Sequence, residues 1–223
     1  MMPAPLVSSH GEHAIDGKIT AVLDIYHERI REEHLNRGDG PSGRERKYGP
    51  DNRLRAVGPE TGQLINILAR GLHAPQILEL GTSFGYSGIW LAEAARATGG
   101  RLTTMELHGY KSDYAREMAE KAGLADHVNF RVGDAVAMIA DLPHGVDFVL
   151  VDLWKDLYLP CLEAFYPKLN SGAIIVADNI RMDRSDVMDY VRAVRAKPDM
   201  MSIMLPVGQG LEISRFKAGV PND

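Results

Sequence analysis

The sequence predicts an α/β protein with a mostly parallel sheet and helices on both faces. Two observations support this: short apolar runs of strand length alternate with helix-length segments, and the first run ends in a glycine-rich turn that leads into a helix. With 223 residues, 45% of them hydrophobic, the chain can bury one substantial core. We expect one globular unit in which residues 1–53 precede a main domain over residues 54–223.

The first 53 residues come before the alternating pattern. Residues 1–17 contain several prolines and serines, which predict a loose arm, and the apolar spacing of residues 18–35 predicts an amphipathic helix. Residues 36–52 are rich in glycine and proline, so we expect a lid or binding loop there. The basic side chains in and just after this loop are either solvated or read an anion; they are Arg44, Arg46, Lys47, Arg53 and Arg55.

Strand and helix patterns then alternate to the end of the chain. The apolar runs predict strands at residues 77–80, 101–106, 128–132, 146–152 and 173–177. Between them we expect helices at about residues 57–70, directly after the glycine turn, at 110–122, from the fourth strand through 169, and at 185–196. Two last segments, 202–205 and 211–216, flank a glycine turn and predict a terminal hairpin. Since helical crossovers are right-handed, all β-to-α turns should open on one edge of the sheet.

The turn after the first strand carries Gly81, Gly85 and Gly88, more glycines than a tight turn requires, which predicts a cofactor close to the backbone. Three residues separate the first two glycines, unlike the G-x-G-x-x-G pattern that seats a pyrophosphate. Glu79 could face a cofactor's ammonium and would repel a pyrophosphate. These features favour S-adenosylmethionine over a dinucleotide, and a turn without any ligand is the alternative.

Two further acidic residues lie where strands end. Glu106 closes the second strand, where a carboxylate can accept both ribose hydroxyls of either NAD or S-adenosylmethionine. Asp134 follows the third strand, and it either bonds the adenine edge or caps the next helix. Alone, these residues do not distinguish the two cofactors.

A sharper group of residues follows the fourth and fifth strands. Asp152 and Asp178 should end adjacent strands, with the Asn179 carbonyl oxygen beside them. Oxygen ligands without Cys or His suit a hard cation such as Mg²⁺, whereas capping explains only one Asp at a time. Lys155 lies three residues after Asp152. Close to a divalent cation its ammonium form is disfavoured, so the neutral amine could accept a proton.

The motifs ELGTSFGYSG, TTMEL, VDLWKDLYLP and ADNI occur in this order over residues 54–217 and resemble the metal-dependent small-molecule O-methyltransferases. This family includes the catechol and caffeoyl-CoA O-methyltransferases, and the catechol enzymes are the most similar branch. The resemblance implies a Rossmann-like class I methyltransferase domain over residues 54–223, with a seven-stranded, mostly parallel sheet and an antiparallel last strand. It also implies that Asp152, Asp178 and Asn179 hold Mg²⁺ and that Lys155 deprotonates the acceptor hydroxyl.

The resemblance also implies which residues bind the donor and the acceptor. The residues implied to line the S-adenosylmethionine site are Gly81, Ser83, Ser87, Glu106, Asp134, Ala135 and Trp154, with Val57 nearby on the lid side. Lys155 and Asn179 would also contact the acceptor. The animal catechol enzyme has a tryptophan where Arg53 falls, and a carboxylate that holds its second hydroxyl is replaced here by Ile203. We therefore hypothesise a catechol-like acceptor that carries an acidic group, read by Arg53 or Arg55.

The net charge, the composition and the polar residues at the strand ends argue against several other functions. The net charge of −5 argues against a nucleic-acid partner, and therefore against an RNA methyltransferase that uses the basic loop. An NAD-dependent oxidoreductase would leave Asp152, Asp178, Asn179 and Lys155 unexplained, and a non-catalytic binding protein would give the lysine no role. The single Cys161, the absence of a signal-peptide pattern and the absence of a long apolar run predict a cytoplasmic protein without a membrane span. A homodimer stays open.

Overall fold

A computed structural model describes residues 16–35, 51–181 and 185–217. The predicted arm and most of the predicted lid loop, including Arg44, Arg46 and Lys47, lie outside these residues. In the described part, no helix is both long and apolar enough to cross a membrane. The molecule is a seven-stranded sheet with helices on both faces, as the sequence predicted.

The helices and strands alternate along the chain. The helices are α1 (Gly17–Leu35), α2 (Pro59–Arg70), α3 (Tyr86–Thr98), α4 (Gly109–Lys121), α5 (Ala135–Ala140), α6 (Tyr158–Phe165) and α7 (Ser185–Ala196). The strands are β1 (Gln76–Leu80), β2 (Arg101–Glu106), β3 (Val128–Val132), β4 (Val146–Val151), β5 (Leu169–Ala177), β6 (Met200–Leu205) and β7 (Leu211–Phe216).

The sheet has the strand order β3-β2-β1-β4-β5-β7-β6. Strands β1 to β5 pair in parallel, whereas β7 runs antiparallel to β5 and forms the predicted terminal hairpin with β6. The prediction of a mostly parallel sheet with a reversed last strand is confirmed. The chain order reverses direction across the sheet between β1 and β4, where ligands of open α/β sheets bind.

Two apolar clusters cover the two faces of the sheet. One holds Ile19 of α1, Ile65 of α2, Ile89 of α3 and Met118 of α4. The other holds residues of α5, α6 and α7, including Cys161. Helix α1 therefore belongs to the same core as the rest of the protein. Cys161 is fully buried, and burial raises the pKa of its thiol to about 12, as expected for an inert core cysteine.

The boundary between the sixth helix and the fifth strand differs from the prediction. The helix was expected to continue through Leu169, but α6 ends at Phe165 and Leu169 already begins β5. Asn170, Ser171 and Gly172 precede the predicted strand 173–177, but in the structure they belong to β5. The register between β4 and β5 shifts at this point. Gly172 has a φ of 94° that accommodates this irregularity. The tertiary pairing therefore overrides the local turn signal.

Candidate functional site

A cavity of about 490 Å³ opens where the parallel strands end. Its walls come from the turns after β1, β2, β3, β4 and β5, together with the segment just before α2. These turns are far apart in the chain and lie together in space, as the parallel topology predicted.

Most of the predicted site residues line this cavity. They are Arg55, Gly81, Ser83, Glu106, Asp134, Ala135, Asp152, Trp154, Lys155 and Asn179. Five others, although described, are not among the lining residues: Arg53, Val57, Glu79, Ser87 and Asp178. Val57, Glu79, Ser87 and Asp178 are all buried behind the walls.

The glycines of the first turn have packing reasons that the sequence did not reveal. A Cβ on Gly81 would lie 2.1 Å from the main-chain oxygen of Asp152, and one on Gly85 would lie 2.7 Å from the Cβ of Ala115 in α4. Both glycines also have positive φ, 102° and 93°. A Cβ on Gly88 would lie 3.3 Å from the Glu79 carboxylate. The number of glycines is therefore explained by close backbone and helix packing, so it is weaker support for a ligand than we expected.

Glu79 is fully buried and is not among the lining residues, so its contact with a cofactor's ammonium stays a prediction. In β1 its side chain lies on the opposite face from Leu78 and Leu80, between the sheet and α3, and it is fully buried. Oε2 accepts a hydrogen bond of 2.5 Å from the Thr104 hydroxyl, while Oε1 has no partner in the described structure. Burial raises the pKa of Glu79 to about 7.

The raised pKa gives a stability prediction for Glu79→Gln. The native state binds this proton more tightly than the unfolded state, so the wild-type free energy of unfolding should fall as pH rises from about 4.5 to about 7. The glutamine side chain does not ionise, so the free energy of unfolding of the variant should not fall over this pH range. Urea unfolding should show the variant more stable by roughly 3 kcal/mol at pH 8 and about equal at pH 5. A difference that does not change with pH, or one matched by the exposed control Glu117→Gln, would contradict it.

Glu106 lies at the end of β2, where a carboxylate that binds a ribose was expected. Its Oε2 accepts a hydrogen bond of 2.8 Å from the Ser83 main-chain N–H, and its Oε1 accepts one of 3.0 Å from the N–H of His108. Two main-chain donors thus fix the carboxylate at the cavity wall. Each oxygen keeps lone pairs for a ligand donor.

Asp134 follows β3 and caps α5. Its Oδ1 accepts a hydrogen bond of 2.9 Å from the N–H of Ala137. This is the helix cap that was one of its two predicted roles. Asp134 and Ala135 also line the cavity. Capping and contact with a ligand are therefore compatible at this residue.

Asp152 and Asp178 end the adjacent strands β4 and β5, as predicted. The N–H of Asp178 bonds to the carbonyl of Val151, and the pKa of each aspartate is raised by burial, with the Asp152 charge adding to the effect on Asp178. Asn179 has a φ of 57° and directs two N–H groups to the Asp178 carboxylate, from its main chain at 2.7 Å and from Nδ2 at 3.0 Å. A buried carboxylate, Asp178, and a half-buried one, Asp152, thus lie at the ends of neighbouring strands, close enough for their charges to interact.

Lys155 is held beside these carboxylates by three contacts. Its Nζ donates to the Tyr158 hydroxyl at 2.6 Å and to the Leu153 carbonyl at 3.3 Å, and it lies 3.5 Å from Asp152 Oδ1. The Tyr158 hydroxyl in turn donates to the Asp178 carbonyl at 2.9 Å. Tyr158 therefore connects the lysine to the turn that carries Asp178 and Asn179, a role that the sequence did not reveal.

The donor atoms fit a hard divalent cation. Within residues 16–35, 51–181 and 185–217, no three His, Cys, Asp or Glu side chains are grouped as a metal site, and the predicted set has two carboxylates and an amide. Lys155 offsets only part of the charge of two buried carboxylates. The Asn179 Oδ1 accepts no hydrogen bond from the described residues. An oxygen-ligated cation would supply the missing positive charge, which is the chemistry Mg²⁺ prefers.

The two arginines of the acceptor hypothesis differ in position. Arg55 lines the cavity, with a φ of 49°, and its Nε donates at 2.8 Å to the buried carboxylate of Asp51. Arg53 is not among the lining residues, and its N–H bonds to Asp51 at 3.2 Å. Of the two, only Arg55 lines the cavity, and Asp51 already balances part of its charge.

Three cavity residues after β2 were missed by the sequence reasoning. Leu107, His108 and Lys111 line the wall next to Glu106, and Lys111 is 7% exposed. The position directly after a strand-ending acid was the available signal, since any residue of that turn must open on the same sheet edge. The predicted site residues included Glu106 but not the residues that follow it.

A second, apolar groove lies beside Asn179. It is lined by Ile180, Met204, Leu205, Pro206, Gly208 and Gly210. Ile180 follows Asn179 directly, and its N–H bonds to the carbonyl of Gly210 in the β6–β7 turn. A Cβ on Gly210 would lie 2.1 Å from the Ile180 oxygen, so the glycine permits this contact. The terminal hairpin thus supplies an apolar wall next to the polar end of the cavity.

Sequence comparison gives the family. A family model described as O-methyltransferase matches residues 45–216. The chain is 34% identical over 146 residues to the catechol O-methyltransferase of Mycobacterium tuberculosis, a match that covers 63% of this chain and 66% of that enzyme. It is 27% identical over 185 residues to caffeoyl-CoA O-methyltransferase 1 of Eucalyptus globulus, covering 73% and 75%. The match thus spans just under two thirds of the bacterial relative's length.

Solved structures agree in fold. The O-methyltransferase TomG from Streptomyces achromogenes, solved in complex with S-adenosylmethionine, is 26% identical with a TM-score of 0.68 and covers 91% of both chains. The O-methyltransferase from Bacillus cereus, solved with S-adenosylhomocysteine, is 24% identical, also has a TM-score of 0.68, and covers 92% of this chain and 93% of its own. With the family model matching most of the chain, these findings show that this protein belongs to the O-methyltransferase family.

Proposed function

We propose that this protein transfers a methyl group from S-adenosylmethionine to a hydroxyl of a catechol-like small molecule, with Mg²⁺ or another hard divalent cation as cofactor. The observation that carries the proposal is the convergence of Asp152, Asn179 and Lys155 at one end of a cavity whose other end holds Glu106, with Asp178 buried directly beside Asn179. The names of the relatives and the S-adenosylmethionine complex of TomG support it.

The cavity divides into two ends with different chemistry. At the β2 and β3 end, Glu106 and Asp134 present carboxylate oxygens to the adenosine part of the donor. At the β4 and β5 end, Asp152, Asp178 and Asn179 would hold the cation. When bound, such a cation supplies positive charge that lowers the cost of an oxyanion on the acceptor. The donor and the acceptor hydroxyl would meet between these ends.

Lys155 provides the proton acceptor in this proposal. Its Nζ takes the proton from the acceptor hydroxyl, and the contacts to Tyr158, Leu153 and Asp152 keep Nζ in position. The resulting oxyanion attacks the sulfonium methyl group, and S-adenosylhomocysteine leaves with the sulfur electron pair. The protein acts mainly by positioning and by charge stabilisation, so no covalent enzyme intermediate is needed.

The surroundings of Asn179 support the proposed acceptor class. The groove formed by Ile180, Met204, Leu205 and Pro206 is apolar and suits the body of an aromatic ring, while two vicinal oxygens would point towards Asn179. A methyl-transfer assay over vicinal diphenols and matched monophenols, with and without EDTA, tests the proposal. Transfer to the diphenols that EDTA abolishes and Mg²⁺ restores is expected. Equal transfer to monophenols, or transfer that is insensitive to EDTA, would refute it.

Substitution of Arg55 tests whether the acceptor carries an acidic group. We expect Arg55→Ala to lower kcat/KM for a carboxylated catechol by about 10-fold, while kcat/KM for the neutral parent changes by less than about 3-fold, because a single charge-assisted hydrogen bond contributes about 1.5–3 kcal/mol and Asp51 already balances part of the charge. Arg53→Ala is the matched control. Equal losses on both acceptors would contradict the acidic-group hypothesis.

A further inference from the structure

A polar atom at the cavity wall has no part in the chemistry above. His108 lines the cavity, and its Nε2 is buried without a hydrogen-bond partner among the residues that the structure describes. Buried polar groups in native proteins are normally hydrogen-bonded, so an unpartnered one at a cavity wall indicates a partner supplied by a ligand.

The position of His108 indicates which part of a ligand it meets. Its main-chain N–H donates to Glu106 Oε1 at 3.0 Å, so the imidazole belongs to the same turn as the carboxylate. The Ser83 N–H holds the other oxygen of Glu106 at 2.8 Å. His108 and Glu106 therefore belong to the same wall of the cavity, and Nε2 lies just beneath that wall, where a small turn of the ring would bring it to a ligand.

The imidazole is held in place by its neighbours. Its ring centroid lies 5.7 Å from that of Tyr110, and the Tyr110 hydroxyl is fixed by the main chain of Asp51, accepting from its N–H at 2.9 Å and donating to its carbonyl at 3.1 Å. A side chain oriented by packing loses little freedom when it binds a ligand. The Tyr110 ring thus limits the orientations that the His108 ring can adopt.

The ribose of S-adenosylmethionine has the matching chemistry. Its two vicinal hydroxyls can each donate to Glu106, and each then keeps lone pairs that need a donor. We propose that His108 is a further binding residue for the donor's ribose, with its Nε2–H donating to a hydroxyl that Glu106 accepts from. This inference rests on the proposed function, because it takes S-adenosylmethionine as the ligand of the cavity.

Calorimetric titration with S-adenosylhomocysteine and its 2′-deoxy and 3′-deoxy analogues tests the contact directly. We expect His108→Ala to weaken binding of S-adenosylhomocysteine about 10-fold, equivalent to about 1.4 kcal/mol. For the analogue that lacks the contacted hydroxyl, the same variant should weaken binding less than about 3-fold. His108→Gln, which returns a donor near the Nε2 position, should recover most of the affinity. His73→Ala, on an exposed surface, is the matched control.

The outcomes separate this inference from the proposed function. Wild-type protein that binds no S-adenosylhomocysteine would overturn both. Wild-type protein that binds it, while His108→Ala loses no affinity or loses it equally for all three ligands, would overturn the role of His108 alone. A loss confined to ligands with the intact hydroxyl supports the inference, since a purely structural effect would weaken every ligand alike.

Discussion

Lys155→Met is expected to lower kcat for methyl transfer by about 10²–10⁴-fold, the usual contribution of a positioned general base. The variant keeps the apolar stem but loses the nitrogen that contacts Tyr158, Leu153 and Asp152. The KM for the donor should stay within about 3-fold, because Glu106 and the β2 turn lie at the other end of the cavity. Steady-state kinetics over a range of pH measures both effects.

The pH profile separates a base from a merely structural lysine. Without Lys155 the acceptor must lose its proton to solvent, so the variant's rate should rise more steeply with pH than the wild-type rate. Lys121→Met, on the exposed side of α4, is the control and should leave activity unchanged. A Lys155→Met enzyme within about 3-fold of wild-type kcat, or with a parallel pH profile, would remove the lysine from the mechanism.

Asp178→Asn is expected to have opposite effects on activity and on metal-free stability. Activity should fall at least about 100-fold, because one of the oxygen ligands for the cation loses its charge. In EDTA the variant should nevertheless melt at an equal or higher temperature than wild type, because a buried carboxylate that the Asp152 charge disfavours is neutralised. The Asn179 side-chain amide can reverse to keep its bond to the substituted residue.

Metal titration completes this experiment. Wild-type protein should gain thermal stability as Mg²⁺ is added after EDTA treatment, as expected for a ligand that binds only the native state, and Asp178→Asn should gain little. Asp113→Asn, an exposed carboxylate on α4, is the matched control. If stripping divalent ions leaves wild-type activity intact, or if Asp178→Asn stays active, then these residues do not hold a catalytic cation.

The sequence predicted the positions of most turns at the site because strand and helix periodicity are local properties. In a parallel sheet the residues that end each strand lie at the same edge, so Asp152, Asp178 and Glu106 must lie there regardless of where their side chains point. The hydrogen-bond partners were not predictable in the same way. Tyr158 reaches both Lys155 and the Asp178 carbonyl only because a 3₁₀ turn, Lys155–Leu157, precedes α6.

Glu79 and His108 show where a local interpretation failed. Glu79 is two residues from a glycine turn, and the sequence did not reveal that its side chain is fully buried next to Gly88 of α3. His108 follows an acid at a strand end and attracted no attention, although its Nε2 is a buried polar atom without a partner at the cavity wall. Side-chain direction relative to a neighbouring helix depends on packing between distant segments.

The sequence by itself determined the α/β alternation, the reversed last strand, the polar residues at the strand ends and the resemblance to a family. Only the tertiary structure decided which of those residues reach the cavity, why Gly81 and Gly85 are glycines, and that Arg55 is already paired with Asp51. The physical reason is that periodicity and turn chemistry act over a few residues. Burial, close backbone approach and charge pairing arise only when segments from different parts of the chain are brought into contact.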